Sequence, residues 1–165
     1  GSGSGAPKGI ITAISGTAGS TVTATTRGSF TSASVADVFA VVNAVAPRYE
    51  DSSTWIANKA WFNTVRQIAN PSAAGQLLPA GSNELLGSPI LACSDVSSAT
   101  TSGTVMAVLG DFSQFVIYDR LGTTVEVIQN VVDGSGLPTG TRGLVAHKRV
   151  GSDVTDVNAF RFLKA

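Results

Sequence analysis

Between Thr54 and Pro71 the chain sets a short apolar run, a capping residue and an amphipathic helix end to end, and no other feature constrains its architecture as much. Thr54-Trp55-Ile56-Ala57 reads as a buried strand, and Asn58 offers a side-chain oxygen to the free N–H groups that open a helix. Trp61, Phe62, Val65, Ile68 and Ala69 share one helical face, until Asn70-Pro71 ends the run. A preceding helix follows the same rule, with Ser32 or Ser34 as cap, Val35, Val38, Phe39, Val42 and Val45 as apolar face, and Pro47 as stop. The expected spans are Ser34 to Ala46 and Asn58 to Ala69. Helices with a single apolar stripe, alternating with strands, must lay that stripe on a sheet, so an α/β or α+β layer is expected.

Strand signals fill most of the remainder. Gly9 to Ile14 and Ser20 to Thr26 are β-branched runs around a glycine-bearing turn and predict a β-ribbon. Ser88 to Ala92, Thr104 to Leu109, Gln114 to Tyr118, Thr123 to Ile128, Leu144 to Val150 and Ala159 to Leu163 read as further strands, punctuated by glycine and aspartate. From Pro71 to Asn83 the residues are small and polar around Leu77-Leu78-Pro79, a loop expected at a surface and at a contact.

With 165 residues there is length for one core without disulfides or a structural metal. Charged residues make up only 13% of the chain, about half the usual quarter. Four Lys and three Glu are few for a free surface, so much of this surface is expected to be covered by a partner. Eleven basic side chains balance eleven acidic ones and the longest basic stretch is His147-Lys148-Arg149, which argues against a dedicated nucleic-acid binder. One cysteine, Cys93, excludes an internal disulfide and a zinc cluster, one histidine argues against a conventional metal site, and a reducing compartment is expected. No apolar run reaches the roughly 18 residues that span a bilayer, and no signal-peptide layout is present. The opening Gly-Ser-Gly-Ser-Gly, without an initiator Met, reads as a linker or expression scar, or as the end of an upstream segment, over residues 1–8.

Candidate chemistry is sparse. His147 is the sole imidazole, with Ser152 and Asp153 near it in sequence, but no Gly-x-Ser-x-Gly elbow accompanies them and a strand histidine is the plainer reading. The glycine-rich stretches lack the Gly-Lys-Ser/Thr ending of a phosphate loop. Asp111, Asp119, Glu126 and Asp133 could suggest a glycosidase or hard-cation site, yet they lack calcium-loop spacing and are better read as turn caps. Arg120 and Glu126 are candidates for an ion pair across strands or subunits. Cys93 reads as a small buried hydrophobe, and Trp55, Trp61 and Phe62 as core rather than stacking platforms.

Four runs stand in a familiar order: Pro7-Lys8-Gly9-Ile10; Thr54-Trp55-Ile56-Ala57-Asn58 leading into Trp61; Leu85-Leu86-Gly87-Ser88-Pro89-Ile90; and Gly110-Asp111-Phe112 through Tyr118-Asp119-Arg120. In order and spacing, from about Gly5 to the C-terminus, they resemble the major capsid proteins of tailed bacteriophages, the family with the Hong-Kong-97 (HK97) fold. The resemblance implies an α+β, HK97-like subunit: an axial domain with a central mixed sheet flanked by helices, plus part of the peripheral-domain β-sheet. Residues 9–130 would be mainly axial and 131–165 the closing strands of the axial and peripheral domains. The family's N-terminal arm, extended loop and spine helix would precede Gly1, making this the later part of a longer subunit.

The implied function is structural: a major capsid subunit that self-assembles into pentamers and hexamers of an icosahedral shell around double-stranded DNA. Pro71, Gly75, Gln76, Leu77, Leu78, Pro79, Gly81 and Ser82 would form a subunit-interface loop near the capsomer axis. Partners would be copies of the chain together with scaffold, portal or cement proteins, with DNA bound only non-specifically and no membrane. The location would be the virion capsid, assembled in the bacterial host cytoplasm. Some relatives cross-link through lysine and asparagine with a glutamate's help, but Gly136 to Lys148 holds neither Asn nor Glu. No catalytic residue, cofactor or metal is therefore expected. The alternatives are an encapsulin-type nanocompartment shell and, less favoured, a small hydrolase using His147.

Overall fold

Trp55 and Ala57 alternate with Thr54 and Ile56 along strand β2 (Thr54–Ala57), and that alternation sets the two faces of a mixed sheet. The computed structural model describes residues 1–24, 34–70, 75–99 and 101–165. In chain order these form α1 (Ile10–Ile14), β1 (Thr21–Thr23), α2 (Val35–Ala44), α3 (Pro47–Glu50), β2, α4 (Lys59–Gln67), β3 (Ala69–Asn70), β4 (Gly75–Gln76), β5 (Glu84–Leu85), β6 (Ser88–Ala92), β7 (Val105–Gly110), β8 (Phe115–Ile128), β9 (Gly143–Val154) and β10 (Phe160–Lys164). Short 3-10 turns precede β8 and β10, with Asp111 and Asp156 capping them through their carboxylates.

The main sheet has six strands in the order β1-β10-β7-β2-β6-β5, with β1/β10 and β2/β6 parallel and the other pairs antiparallel. Trp55, Ala57, Ala107, Leu109 and Leu163 line one face and meet Val38 and Val41 of α2 and Trp61, Phe62 and Val65 of α4. Val108, Phe160 and Phe162 line the other and meet Ile14 of α1. Trp55 and Trp61 stack at 5.7 Å between ring centroids, and the Trp55 indole N–H donates to the Leu85 carbonyl at 3.1 Å. Gly110 closes β7 where no side chain fits: a Cβ there would run into the Ala159 carbonyl oxygen.

The helix expectations hold with trimmed ends. Ser34 caps α2 in a reciprocal box with Asp37, and Asn58 caps α4 by accepting from the Ala60 N–H at 3.0 Å. Ser32, the alternative cap, lies outside the described residues. Helix α2 ends at Ala44, and Pro47 opens α3 at its first position as well as stopping α2, since its ring fixes a helical φ and needs no donor there. Asn70-Pro71 ends α4 early enough that Ala69 joins β3 instead.

The expected ribbon between Gly9 to Ile14 and Ser20 to Thr26 does not form. Residues 10–14 are helical, with Ala13 N–H donating to Gly9 O at 2.9 Å and Ser15 N–H to Ile11 O at 3.0 Å, while β1 pairs in parallel with β10. Tertiary demand overrides the β-branched composition: the helix buries Ile14 completely and covers Val108, Phe160 and Phe162. Thr25 and Thr26 lie outside the described residues.

Gln114 to Tyr118 and Thr123 to Ile128, read as separate strands, form the single strand β8, because the glycine-bearing stretch between them makes register shifts rather than a turn. The β5–β6 connection is a two-residue hairpin with Leu86 at φ 52° and Gly87 at φ 84°, the left-handed pair that matches strand twist.

Candidate subunit interface

Strands β8 and β9 leave the main sheet and, among the described residues, pair only with each other, over fourteen and twelve residues. Cross-strand partners share a face, so the register Val125↔Ala146 and Val127↔Leu144 places four apolar side chains side by side. Nothing among the described residues covers them: Val125, Val127 and Leu144 are 60%, 59% and 75% exposed. Nearer the main sheet, Phe115 and Val154 on the same face pack against the cluster under α1. The opposite face carries Thr124, Glu126 and Ile128 across from His147, Val145 and Gly143. Ile117, Tyr118, Val132 and Leu137 add further exposed apolar surface. A soluble domain seldom leaves so many large apolar groups in water.

The tip between the two strands is tightly organised. The Asp133 carboxylate accepts the N–H groups of Ser135 and Leu137, both at 2.9 Å, and Thr139 Oγ1 donates to the Val131 carbonyl at 2.6 Å. Asp133 therefore shapes a turn. Asp119 pairs with Lys148 at 2.9 Å on the ribbon. Asp111 is held below the usual carboxylate range: burial pushes it up, but hydrogen bonds from Ser113 outweigh that.

Residues 1–8 lie against β9. Gly9 N–H donates to Gly1 O at 2.8 Å, closing the segment on itself. Ser152 Oγ donates to the Lys8 carbonyl at 2.7 Å and Lys8 Nζ meets Asp153 Oδ2 at 3.2 Å. The Val154 N–H, then the Lys8 ammonium, hold the Asp153 carboxyl below its ordinary range. Ser152 and Asp153 are thus committed to Lys8, while His147 sits opposite Thr124 on the exposed ribbon. The structure does not bring the three together as a triad.

The loop candidates divide. Leu78 is fully buried and Leu77 packs against the core, so they anchor the loop. Pro79 and Gly81 are exposed, with Gly81 at φ 86°, and Ser82 Oγ donates to the Glu84 carbonyl at 3.0 Å. Gly75 and Gln76 form β4 against β3, and Pro71 lies outside the described residues. Arg120 and Glu126 occupy one strand, six residues apart, so the cross-strand ion pair of the ribbon is Lys148–Asp119. Cys93 is half-buried, beside an apolar groove.

A second polar knot ties α3 to the turn before β10. The Tyr49 hydroxyl donates to Asp156 Oδ2 at 2.6 Å, Arg48 reaches the same oxygen at 3.1 Å, and the Arg48 guanidinium lies 4.7 Å from the Tyr49 ring centre. The Tyr49 hydrogen bond first, then the Asn158 N–H and Arg48, hold the Asp156 carboxyl low; the same bond to Asp156 raises the Tyr49 phenol. A lowered carboxyl contributes stability that is present above its unfolded value of about 3.9 and lost as pH falls through the lower folded value. Asp156→Asn is expected to lower the melting temperature at pH 7, with the gap from the parent chain closing below about pH 4; thermal melts at pH 7, 5 and 3 check this.

The ribbon was legible in part. Alternation in Thr124-Val125-Glu126-Val127 marks a two-faced strand, but whether another layer covers the apolar face is decided elsewhere in the fold.

Comparison with known proteins agrees with this architecture. The family described as "Phage capsid family" matches residues 1–165. No curated protein matches. The capsid of a native GTA particle superposes with a TM-score of 0.70 at 22% identity, covering 96% of this chain and 55% of that one. The Gordonia phage Cozz structure gives 0.55 at 17%, covering 90% and 50%. The holo-SrpI encapsulin complex of Synechococcus elongatus PCC 7942 gives 0.54 at 15%, covering 94% and 55%. At such identities the likeness is one of fold, and the chain spans about half the length of the solved chains it matches. The mixed sheet with its helices is thus an α+β fold of the Hong-Kong-97 capsid type, and, with the family matched over its whole length, the chain belongs to the phage capsid family.

Proposed function

We propose that this chain is part of a major capsid subunit that self-assembles into pentamers and hexamers of an icosahedral shell enclosing double-stranded DNA. The observation that carries the reading, beside family membership, is the β8–β9 ribbon, whose apolar face has no cover among the described residues. A wall subunit needs such surface, because many modest heterologous contacts close rings and then a shell. A net charge of zero suits close packing of identical copies, and contact with DNA would be weak and independent of sequence.

On this reading residues 9–130 are mainly axial and 131–165 supply closing strands, with the ribbon reaching into the peripheral sheet. Pro79, Gly81 and Ser82 present the axial loop that Leu77 and Leu78 anchor. Arg120 and Glu126 pair with neighbouring subunits. Scaffold, portal or cement proteins join copies of the chain in a virion assembled in the host cytoplasm, and shell contacts are non-covalent, without catalytic residues.

The encapsulin likeness supports a nanocompartment shell as the rival, at a TM-score of 0.54 against 0.70 for the native GTA capsid. Electron microscopy of the full-length subunit, expressed alone and with neighbouring genes, tests the proposal. Rings or shells are expected; a subunit that stays monomeric under all conditions overturns it. A cargo enzyme inside purified shells, in place of DNA, favours the rival.

A further inference from the structure

On the face of the main sheet that α1 covers, an open apolar groove runs beside the helix. Ile11, Ile56, Val96, Phe112 and Phe115 line it, and it holds about 510 Å³, room for more than one side chain. Asp95 is the one carboxylate among the lining residues; it is exposed and has no ion-pair partner among the described residues. Cys93 lies in the same wall.

A shape of the opposite kind stands at the far end of the ribbon. Leu137 and Val132 are 63% and 56% exposed on a loop whose backbone is clamped by the Asp133 carboxylate and by Thr139. Clamping a turn so that it holds leucine in water is unfavourable for an isolated chain, and preorganisation of this kind aids binding. Between Val131 and Arg142 the charged residues are Asp133 and Arg142. Asp133 Oδ1 accepts two backbone N–H groups, and exposed Arg142 has no ion-pair partner among the described residues. Knob and groove are thus both apolar at the centre, and Arg142 at the rim of one is opposite in charge to Asp95 at the rim of the other, an arrangement suited to a specific interface.

We propose that the ribbon-tip knob of one copy, led by Leu137 and Val132, seats in the Ile56/Phe112/Phe115 groove of a second copy, with Arg142 facing Asp95. The proposal rests on the capsid reading and names the contact by which copies meet. It is intermolecular by necessity: Phe115 lines the groove at the base of β8, and a strand of that length sets the tip roughly 40 Å away. Each copy carries one knob and one groove, so the contact is heterologous and extends from copy to copy.

Cys93 is the chain's single cysteine and makes the test direct. Under mild oxidation with diamide, the Leu137→Cys chain is expected to form disulfide-linked dimers and a ladder of higher multimers on non-reducing gels. The ladder should vanish in Leu137→Cys/Cys93→Ser. Arg142→Asp should lower its yield about fivefold, and adding Asp95→Arg should restore it. A Leu137→Cys chain that stays monomeric, because another segment of the subunit fills the groove or because no contact exists, overturns the proposal. Dimers that survive Cys93→Ser do the same, since they would join tip to tip. Shells of the full-length subunit lacking this link sink the knob contact alone; absence of any ring or shell sinks the capsid reading.

Discussion

Trp55→Ala is expected to destabilise the chain by about 4 kcal/mol, at the upper end of the range for core truncations, measurable by denaturant titration. Trp55 is fully buried in the central part of the sheet, stacked on Trp61 from α4 and paired in register with Leu109 and Ile90. Truncation opens a cavity between β2 and α4 and also removes the indole N–H that donates to the Leu85 carbonyl. Trp55→Phe separates the two effects: it keeps much of the packing but still loses the indole hydrogen bond, and should lose about 1–2 kcal/mol. Equal losses in the two variants would mean that cavity formation contributes little and that this account of the core is mistaken.

Val127→Lys combined with Leu144→Glu should have the opposite profile, leaving the fold intact while abolishing assembly. The two residues face each other across the ribbon and are 59% and 75% exposed, so little packing within the chain is lost. Opposite charges placed directly across an antiparallel pair preserve its register and can add a few tenths of a kcal/mol. What disappears is the apolar face, since burying a lysine and a glutamate at an interface requires their desolvation. The melting temperature of the chain should move by no more than a few degrees, while the full-length variant should yield no shells by sedimentation or electron microscopy. Normal shells from the variant would remove this face from the list of assembly contacts. A large loss of thermal stability would show that the ribbon is integral to the core.

The two predictions separate the inside of the molecule from a surface that behaves like an inside without a partner. Such surfaces explain the low charge of the chain. Lys and Glu normally keep a domain soluble, and here β8 and β9 present valine, leucine and isoleucine in their place.

Local elements follow from the amino-acid order wherever spacing and capping chemistry act within a few residues. Ser34 and Asn58 start their helices, Thr54 to Ala57 forms its strand, and the core positions Trp55, Trp61, Phe62 and Val65 are readable from period alone. Four motifs in order were enough to indicate the family.

Tertiary structure decided the rest, because those outcomes depend on residues far apart in the chain. Ile10 to Ile14 became helix since the face formed by Val108, Phe160 and Phe162 needed a cover. Leu78 went inside while Pro79 stayed out, and Ser152 and Asp153 turned to Lys8 rather than to His147. The exposure of Val127 and Leu144 was settled in the same way. Alternation along a strand says that two faces differ, and only the placement of every other layer says which of them is left to meet another molecule.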